Sequence, residues 1–184
     1  ALERLAEKYP GDSRIYRALS RAQAERKNYA GAVRALTTLA KLDPAMASDD
    51  EMARIVGAAA LVPETSEAAI NILESALGDR GVAMLSDVAE QTTMEPWRRR
   101  LQESLKKGSV RAVASEATVV LLGLRAARTC EEKRGLFKRA LQEGDMRVVL
   151  HLRALQQTNG CGPGGQNDCW PCLRRGTALV TTLE

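Results

Sequence analysis

Three of the chain's four cysteines, Cys161, Cys169 and Cys172, fall within the stretch GCGPGGQNDCWPCLRR at 160–175, and the fourth is Cys130. Three chemistries suit such a set. Cys169-Trp170-Pro171-Cys172 has the spacing of a thiol–disulfide redox pair, whose first thiolate is stabilised at a helix N-terminus. Such a pair normally sits on a βαβ framework, and no β-framework is predicted here. A zinc site would take Cys161, Cys169 and Cys172 with Cys130 or His151 as the fourth ligand, each Zn–S bond about 2.3 Å long. The strong zinc signature needs two CxxC pairs, and this chain has one. Two structural disulfides are the favoured reading, with no cofactor. The number of cysteines is even, and the glycine-rich loop has so little apolar surface that covalent closure, worth roughly 2–4 kcal/mol per bridge, would help to hold it. Four cysteines allow three connectivities; the preferred one pairs Cys130 with Cys161 and Cys169 with Cys172. Disulfides imply an oxidising compartment, whereas reduced or zinc-bound cysteines would imply the cytoplasm.

His151 is the only histidine, and VVLHLRAL places it within a helix as a partly buried residue. A histidine-based nucleophilic triad therefore has a single possible base. Asp49-Asp50 and Glu131-Glu132 stand near predicted helix starts, where carboxylates meet the positive end of the helix dipole. Arg14, Arg17 and Arg21, spaced i, i+3, i+7, share one helical stripe. Such a stripe could hold a carboxylate or an acidic peptide through bidentate hydrogen bonds; the plainer reading is a solvated basic face. The formal net charge is +4, with a pI near 9.0. The basic clusters Arg98-Arg99-Arg100, Lys106-Lys107 and Arg174-Arg175 are interspersed with acids and lack an aromatic platform, which speaks against nucleic acid as a partner.

The elements that must position these residues are helical. Of 184 residues, 45% are hydrophobic but only 3% aromatic, so Ala, Leu and Val must fill the core, a mixture suited to close helix packing. The length allows one or two domains. No apolar run reaches the roughly 20 residues of a membrane span, and no signal-peptide pattern opens the chain. It starts in mid-helix without an initiator Met and ends in Leu183-Glu184, from which we expect an excised segment of a larger protein. Helical patterns run through DDEMARIVGAAALVP, TSEAAINILESALG, RGVAMLSDVAEQ, EPWRRRLQESLKK, ASEATVVLLGLRAARTCEEKRGLFKRALQEG and DMRVVLHLRALQQ. Pro96 suits a first helical turn, Gly108 and Gly144 follow charged last turns, and Asp145 can cap the next helix. No window alternates with period two. An all-α fold of ten or eleven helices is predicted.

Pro10 and Pro44 stand 34 residues apart, each after an apolar-periodic helix, LERLAEKYP and LTTLAKLDP. Between them, DSRIYRALSRAQAERKNYAGAVRALTTLAKLDP resembles a complete tetratricopeptide repeat, with Tyr16, Leu19, Tyr29, Ala32 and Pro44 at the family's characteristic positions. Ser20, Gln23 and Lys27-Asn28 depart from its usual glycine, tyrosine and Gly-Asp turn. The resemblance implies a right-handed stack of hairpins, with Tyr16, Leu19, Ala32, Leu36 and Leu39 buried between the first pair. It also implies a concave groove lined by the helix that carries Arg14, Arg17 and Arg21, open to a protein or acidic-peptide partner. Beyond Pro44 the pattern is closer to a HEAT-like helical pair. The expected division is repeats over 1–77 and a helical cap over 78–184 containing the cysteine loop 160–172.

The opening repeat, ALGDRGVAMLSDVAE, and the tail from CEEKRGLFKRALQEG to CWPCLRR are together similar to helical C-terminal regions of myxobacterial eukaryotic-like serine/threonine kinases. That resemblance implies a signalling parent anchored in a membrane, with this segment on the extracytoplasmic face. The segment has no glycine-rich phosphate loop, His-Arg-Asp loop or Asp-Phe-Gly, so phosphoryl transfer is not expected of it. The expected role is a non-catalytic interaction or sensor module. The alternatives are a redox protein using Cys169 and Cys172, and a dimerisation or spacer domain.

Overall fold

The computed structural model of the chain describes residues 1–174; Arg175 of the second basic pair and the terminal Leu183-Glu184 lie outside them. The described residues form eleven α-helices and no strand, only one isolated antiparallel bridge between Cys161 and Asn167. None of these helices is long and apolar enough to cross a membrane. The chain divides into two compact units, one over Ala1–Ala114 and one from Ser115 onward.

The first unit contains α1 (Leu2–Lys8), α2 (Ser13–Glu25), α3 (Tyr29–Leu42), α4 (Asp50–Ala60), α5 (Ser66–Ser75), α6 (Gly78–Gln91), α7 (Glu95–Lys106) and α8 (Gly108–Ala112). Their starts are written in short polar side chains. Asp12 accepts from the Arg14 N–H, Asn28 from the Gly31 N–H, and Asp49 from the Glu51 and Met52 N–H groups; each cap satisfies donors the first turn leaves open. Pro96 sits in the first turn of α7, as expected. The turn between α2 and α3 takes its left-handed residue at Lys27, φ 59°, while Asn28 is the N-cap. Capping makes good use of the Asn28 side-chain oxygen, which accepts from the Gly31 N–H.

Consecutive helices pack pairwise, α2 on α3, α4 on α5 and α6 on α7, while α2 touches α4, α4 touches α6, and α3 touches α5. The core is aliphatic: Ala32, Leu36, Leu39, Met52, Val56, Ile70, Leu73 and Leu85 are all buried, each large one contributing roughly 1.5–3 kcal/mol. Small residues set the separations. A Cβ at Gly81 would fall on the carbonyl oxygen of Leu73, and one at Gly57 on the Met84 methyl. Of the expected hairpin core, Ala32, Leu36 and Leu39 are fully buried, but Tyr16 and Leu19 are only half-buried. Ser20 is the fully buried residue of α2; its hydroxyl donates to the Arg17 carbonyl at 2.9 Å and lies 3.2 Å from the Met52 sulfur.

The compact units divide after Ala114 rather than at 77/78. Helix α6 packs on both α5 and α7, and a charged network fastens α7 to α5. Arg100 reaches Glu74 at 2.8 Å and Glu67 at 3.1 Å, and Lys107 reaches Glu74 at 2.8 Å. Burial alone would raise the Glu74 pKa, but hydrogen bonds from Arg100, Lys107 and Ser104 overcome this and lower it to about 2.

The second unit has α9 (Glu116–Ala126), α10 (Cys130–Glu143) and α11 (Met146–Leu155), with α10 and α11 both packed on α9. The helical pattern over 114–144 breaks at 127–129, where Thr129 and Glu132 form a capping box for α10. Asp145 caps α11, as expected. The core is small: Val120, Leu121, Leu124, Phe137, Ala140, Val148, Leu152, Leu155 and Leu173, with Cys130, Leu136 and Trp170 packed against it. Each unit holds one of the chain's two tryptophans, Trp97 on α7 and Trp170 in the cysteine loop.

Candidate functional site: an arginine–carboxylate face and a disulfide-tied loop

The cysteines form two disulfides, Cys130–Cys172 and Cys161–Cys169, with Cα separations of 6.2 and 5.1 Å. The preferred pairing of Cys130 with Cys161 and Cys169 with Cys172 is therefore corrected. The physical reason lies in the loop. Gly160, Gly162, Gly164 and Gly165 have positive φ, which turns the chain tightly enough for Cys161 and Asn167 to exchange both backbone hydrogen bonds, at 2.9 and 2.8 Å. A Cβ at Gly162 would run into the Asn167 side chain. This ribbon brings Cys169 back to Cys161. Cys172, on the 3-10 turn Pro171–Arg174, is left facing Cys130 at the start of α10. Among the described residues no group of three or more His, Cys, Asp or Glu is placed to hold a metal.

Polar contacts finish the docking of the loop. Asp168 accepts from the Trp170 N–H at 2.7 Å and pairs with Arg174 at 2.8 Å, Arg174 donates to the Leu155 carbonyl at 3.1 Å, and Arg134 donates to the Cys172 carbonyl. Beneath the loop lies Lys133, only 2% exposed. Its ammonium donates to the Leu124 carbonyl and stands 4.3 Å from the centre of the Trp170 ring, a cation–π arrangement. Burial lowers the Lys133 pKa. Lys133 was not singled out in the sequence, yet a signal was there: 133, 137 and 140 are spaced i, i+4, i+7, and Phe137 and Ala140 are core residues, so the lysine stands on an apolar stripe.

His151 is half-buried in α11, as expected. Burial, then the charges of Lys133 and Arg125, lower its pKa to about 4, offset in part by a backbone hydrogen bond with Leu124. It is a neutral imidazole at physiological pH.

The three arginines of α2 lie among the unit's own carboxylates. Arg14 pairs with Asp12, the cap of its own helix, at 2.7 Å; Arg17 pairs with Asp43 at 3.0 Å and with Asp49; Arg21 pairs with Glu51. The hydrogen bond from Arg14 lowers the Asp12 pKa, and that with Glu51 raises the Arg21 pKa. On α6, Arg80 pairs with Asp50 at 2.7 Å. The counter-charges of Arg17, Arg21 and Arg80 come from α4 and the residues just before it, so those of Arg17 and Arg21 are invisible to a spacing argument confined to α2. Of the two read as helix-start carboxylates, Asp49 caps α4 and pairs with Arg17, while Asp50, the first residue of that helix, pairs with Arg80.

Between α2 and α4 runs an open groove of about 210 Å³ lined by Arg21, Ala24, Glu25, Tyr29, Glu51, Arg54, Ile55 and Ala58. A second hollow shares Arg54 and continues to Arg80 and Met84 of α6. Arg54 is exposed, and its guanidinium donates a 3.4 Å hydrogen bond to the Asp50 carbonyl. Unlike Arg17, Arg21 and Arg80, it is not paired with a carboxylate among the described residues. Comparison of the chain with protein-family models, curated proteins and solved structures finds no match.

Proposed function

We propose that the chain is a non-catalytic protein-interaction module that binds a peptide or protein segment along the α2–α4–α6 face. The observation that carries this reading is the groove between α2 and α4, with a second hollow toward α6 sharing Arg54, which combines apolar lining residues with a cation that has no carboxylate partner among the described residues. Such a surface fits an extended or helical segment that offers one acidic side chain to Arg54 and an apolar one to Ile55 and Ala58. The 34-residue repeat and the pairwise packing of α2 to α7 support reading the first unit as a tetratricopeptide-like stack, in which this face is the binding face. The tail's resemblance to kinase-associated regions supports attaching the module to a larger signalling protein. The disulfide pairing supports an oxidising, extracytoplasmic setting. The redox alternative draws no support from that pairing, because Cys169 and Cys172 are bonded to different partners.

The test uses a fluorescent peptide library with one acidic and one apolar anchor, read by anisotropy against the full chain. Binders should weaken in moderate salt and lose at least about tenfold in affinity with Arg54→Glu, a loss of roughly 1.4 kcal/mol. Arg54 is the residue to change, because glutamate at 17 or 21 would face Asp43, Asp49 or Glu51 and disturb the fold itself. Peptides that bind wild type and Arg54→Glu equally place the interface elsewhere.

A further inference from the structure

The amino-terminal helix repeats the second helix of the first hairpin. Residues 1–10, ALERLAEKYP, match 35–44, ALTTLAKLDP, at Ala1/Ala35, Leu2/Leu36, Leu5/Leu39, Ala6/Ala40 and Pro10/Pro44. The geometry matches too. The N–H after each helix returns to the same leucine position, Tyr9 to the Leu5 carbonyl and Asp43 to the Leu39 carbonyl, both at 2.8 Å. The next helix in each case is capped by an aspartate, Asp12 or Asp49, and α1 packs on α2 as α3 packs on α4.

The difference is on the other side. Helix α3 lies along α2, and Leu36 and Leu39 are 0% exposed. Helix α1 has no buried residue; Leu5 is 42% and Tyr9 47% exposed. Leu39 is buried where a first helix lies against it, while its equivalent Leu5 is exposed and Leu2, the equivalent of Leu36, is half-buried.

We propose that the face of α1 bearing Leu2, Leu5 and Tyr9 is a docking surface for an amphipathic helix with the pattern of α2, which lies against it as α2 lies against α3. The pattern required is that of Tyr16, Leu19 and Ser20, three residues of α2 none of which is exposed. This inference uses no residue of the α2–α4 groove and stands whether or not that groove binds acidic peptides.

Duplicating residues 12–34 ahead of Ala1 supplies such a helix, with the turn and spacing the chain already uses. In the extended protein the amides of α1 should gain at least about tenfold protection from hydrogen exchange. Leu5→Asp, which should leave the melting temperature of the unextended chain nearly unchanged, should lower that of the extended one by roughly 5 °C or more. The same extension carrying aspartate in place of its copy of Leu19 should lose the gain. An added segment that stays unfolded, or protection that survives the aspartate, overturns the proposal. So does an unextended chain that sediments as a dimer and becomes monomeric with Leu5→Asp, since the face would then belong to a second copy.

Discussion

The two units solve the same problem with different means. The first is long enough for its helices to bury one another: each of α3, α4, α5 and α6 touches at least three other elements, and glycines or alanines at the crossings let aliphatic side chains close the gaps. Among its described residues the second has three α-helices and a core of nine residues. It adds two covalent closures. The difference teaches that below a certain size, buried area no longer offsets chain entropy, and cross-links must supply the rest.

The largest expected effect breaks this comparison from the covalent side. The Cys130–Cys172 bridge closes a loop with a separation of 42 residues, and Cys161–Cys169 one of 8. Chain-entropy reasoning assigns them about 4 and about 2.5 kcal/mol. Reduction, or Cys130→Ser with Cys172→Ser, should therefore unfold or greatly loosen the second unit, while the amides of α2 to α7 keep their protection from hydrogen exchange. Equal loss in both units would refute the division of labour.

Acid should separate the units next. The Glu74 carboxyl is held at about 2, below its unfolded value near 4.5, so its contribution is complete above that value and is lost as the pH falls toward 2. His151 has a pKa lowered to about 4 from 6.5; the folded state resists protonation that the unfolded chain accepts. Its contribution is present above pH 6.5 and lost as the pH falls to about 4. Residue-resolved exchange should show the second unit weakening first, between pH 6.5 and 4, and the α5–α7 contact only below about pH 4.5. Glu74→Gln should abolish the lower window and His151→Gln the upper.

Overpacking sharpens the comparison on the side of the first unit. Ala32 is 0% exposed, and Ala32→Leu should cost roughly 1–3 kcal/mol in urea melts that follow the first unit. A variant as stable as wild type would mean that the crossing of α2 and α3 is looser than described. The smallest effect is expected from Lys133→Met. It removes a buried cation with an apolar side chain of similar length, so stability should change little. The pKa of His151 should rise, since Lys133 is one of the charges that depress it; an unchanged His151 titration would contradict their proximity.

Much of the helical framework was legible because its signals are local. Asp145, Gly144 and Pro96 act within one turn of themselves, and periodicity exposes Leu36 and Leu39 as core. What escaped the sequence was set at long range. The Arg100–Glu74–Lys107 network joins residues far apart in the chain and ties α7 to α5. Arg17 and Arg21 read as available cations because Asp43, Asp49 and Glu51 lie beyond the helix that displays them. The disulfide pairing depended on the backward turn of a glycine loop, whereas the sequence allows three connectivities and does not choose among them. The 34-residue period fades after Pro44 for a simple reason: the 3-10 segment Pro44–Ser48 puts the caps Asp12 and Asp49 at 37.

Trp170 gives the second unit an optical voice of its own. Its indole adjoins Cys169 in sequence and covers the Lys133 ammonium, and disulfides and ammonium groups both alter indole emission. The chain's other indole, Trp97, belongs to the first unit. A Trp97→Phe protein would therefore report the redox state of one unit as light, without a label and without a signal from the other.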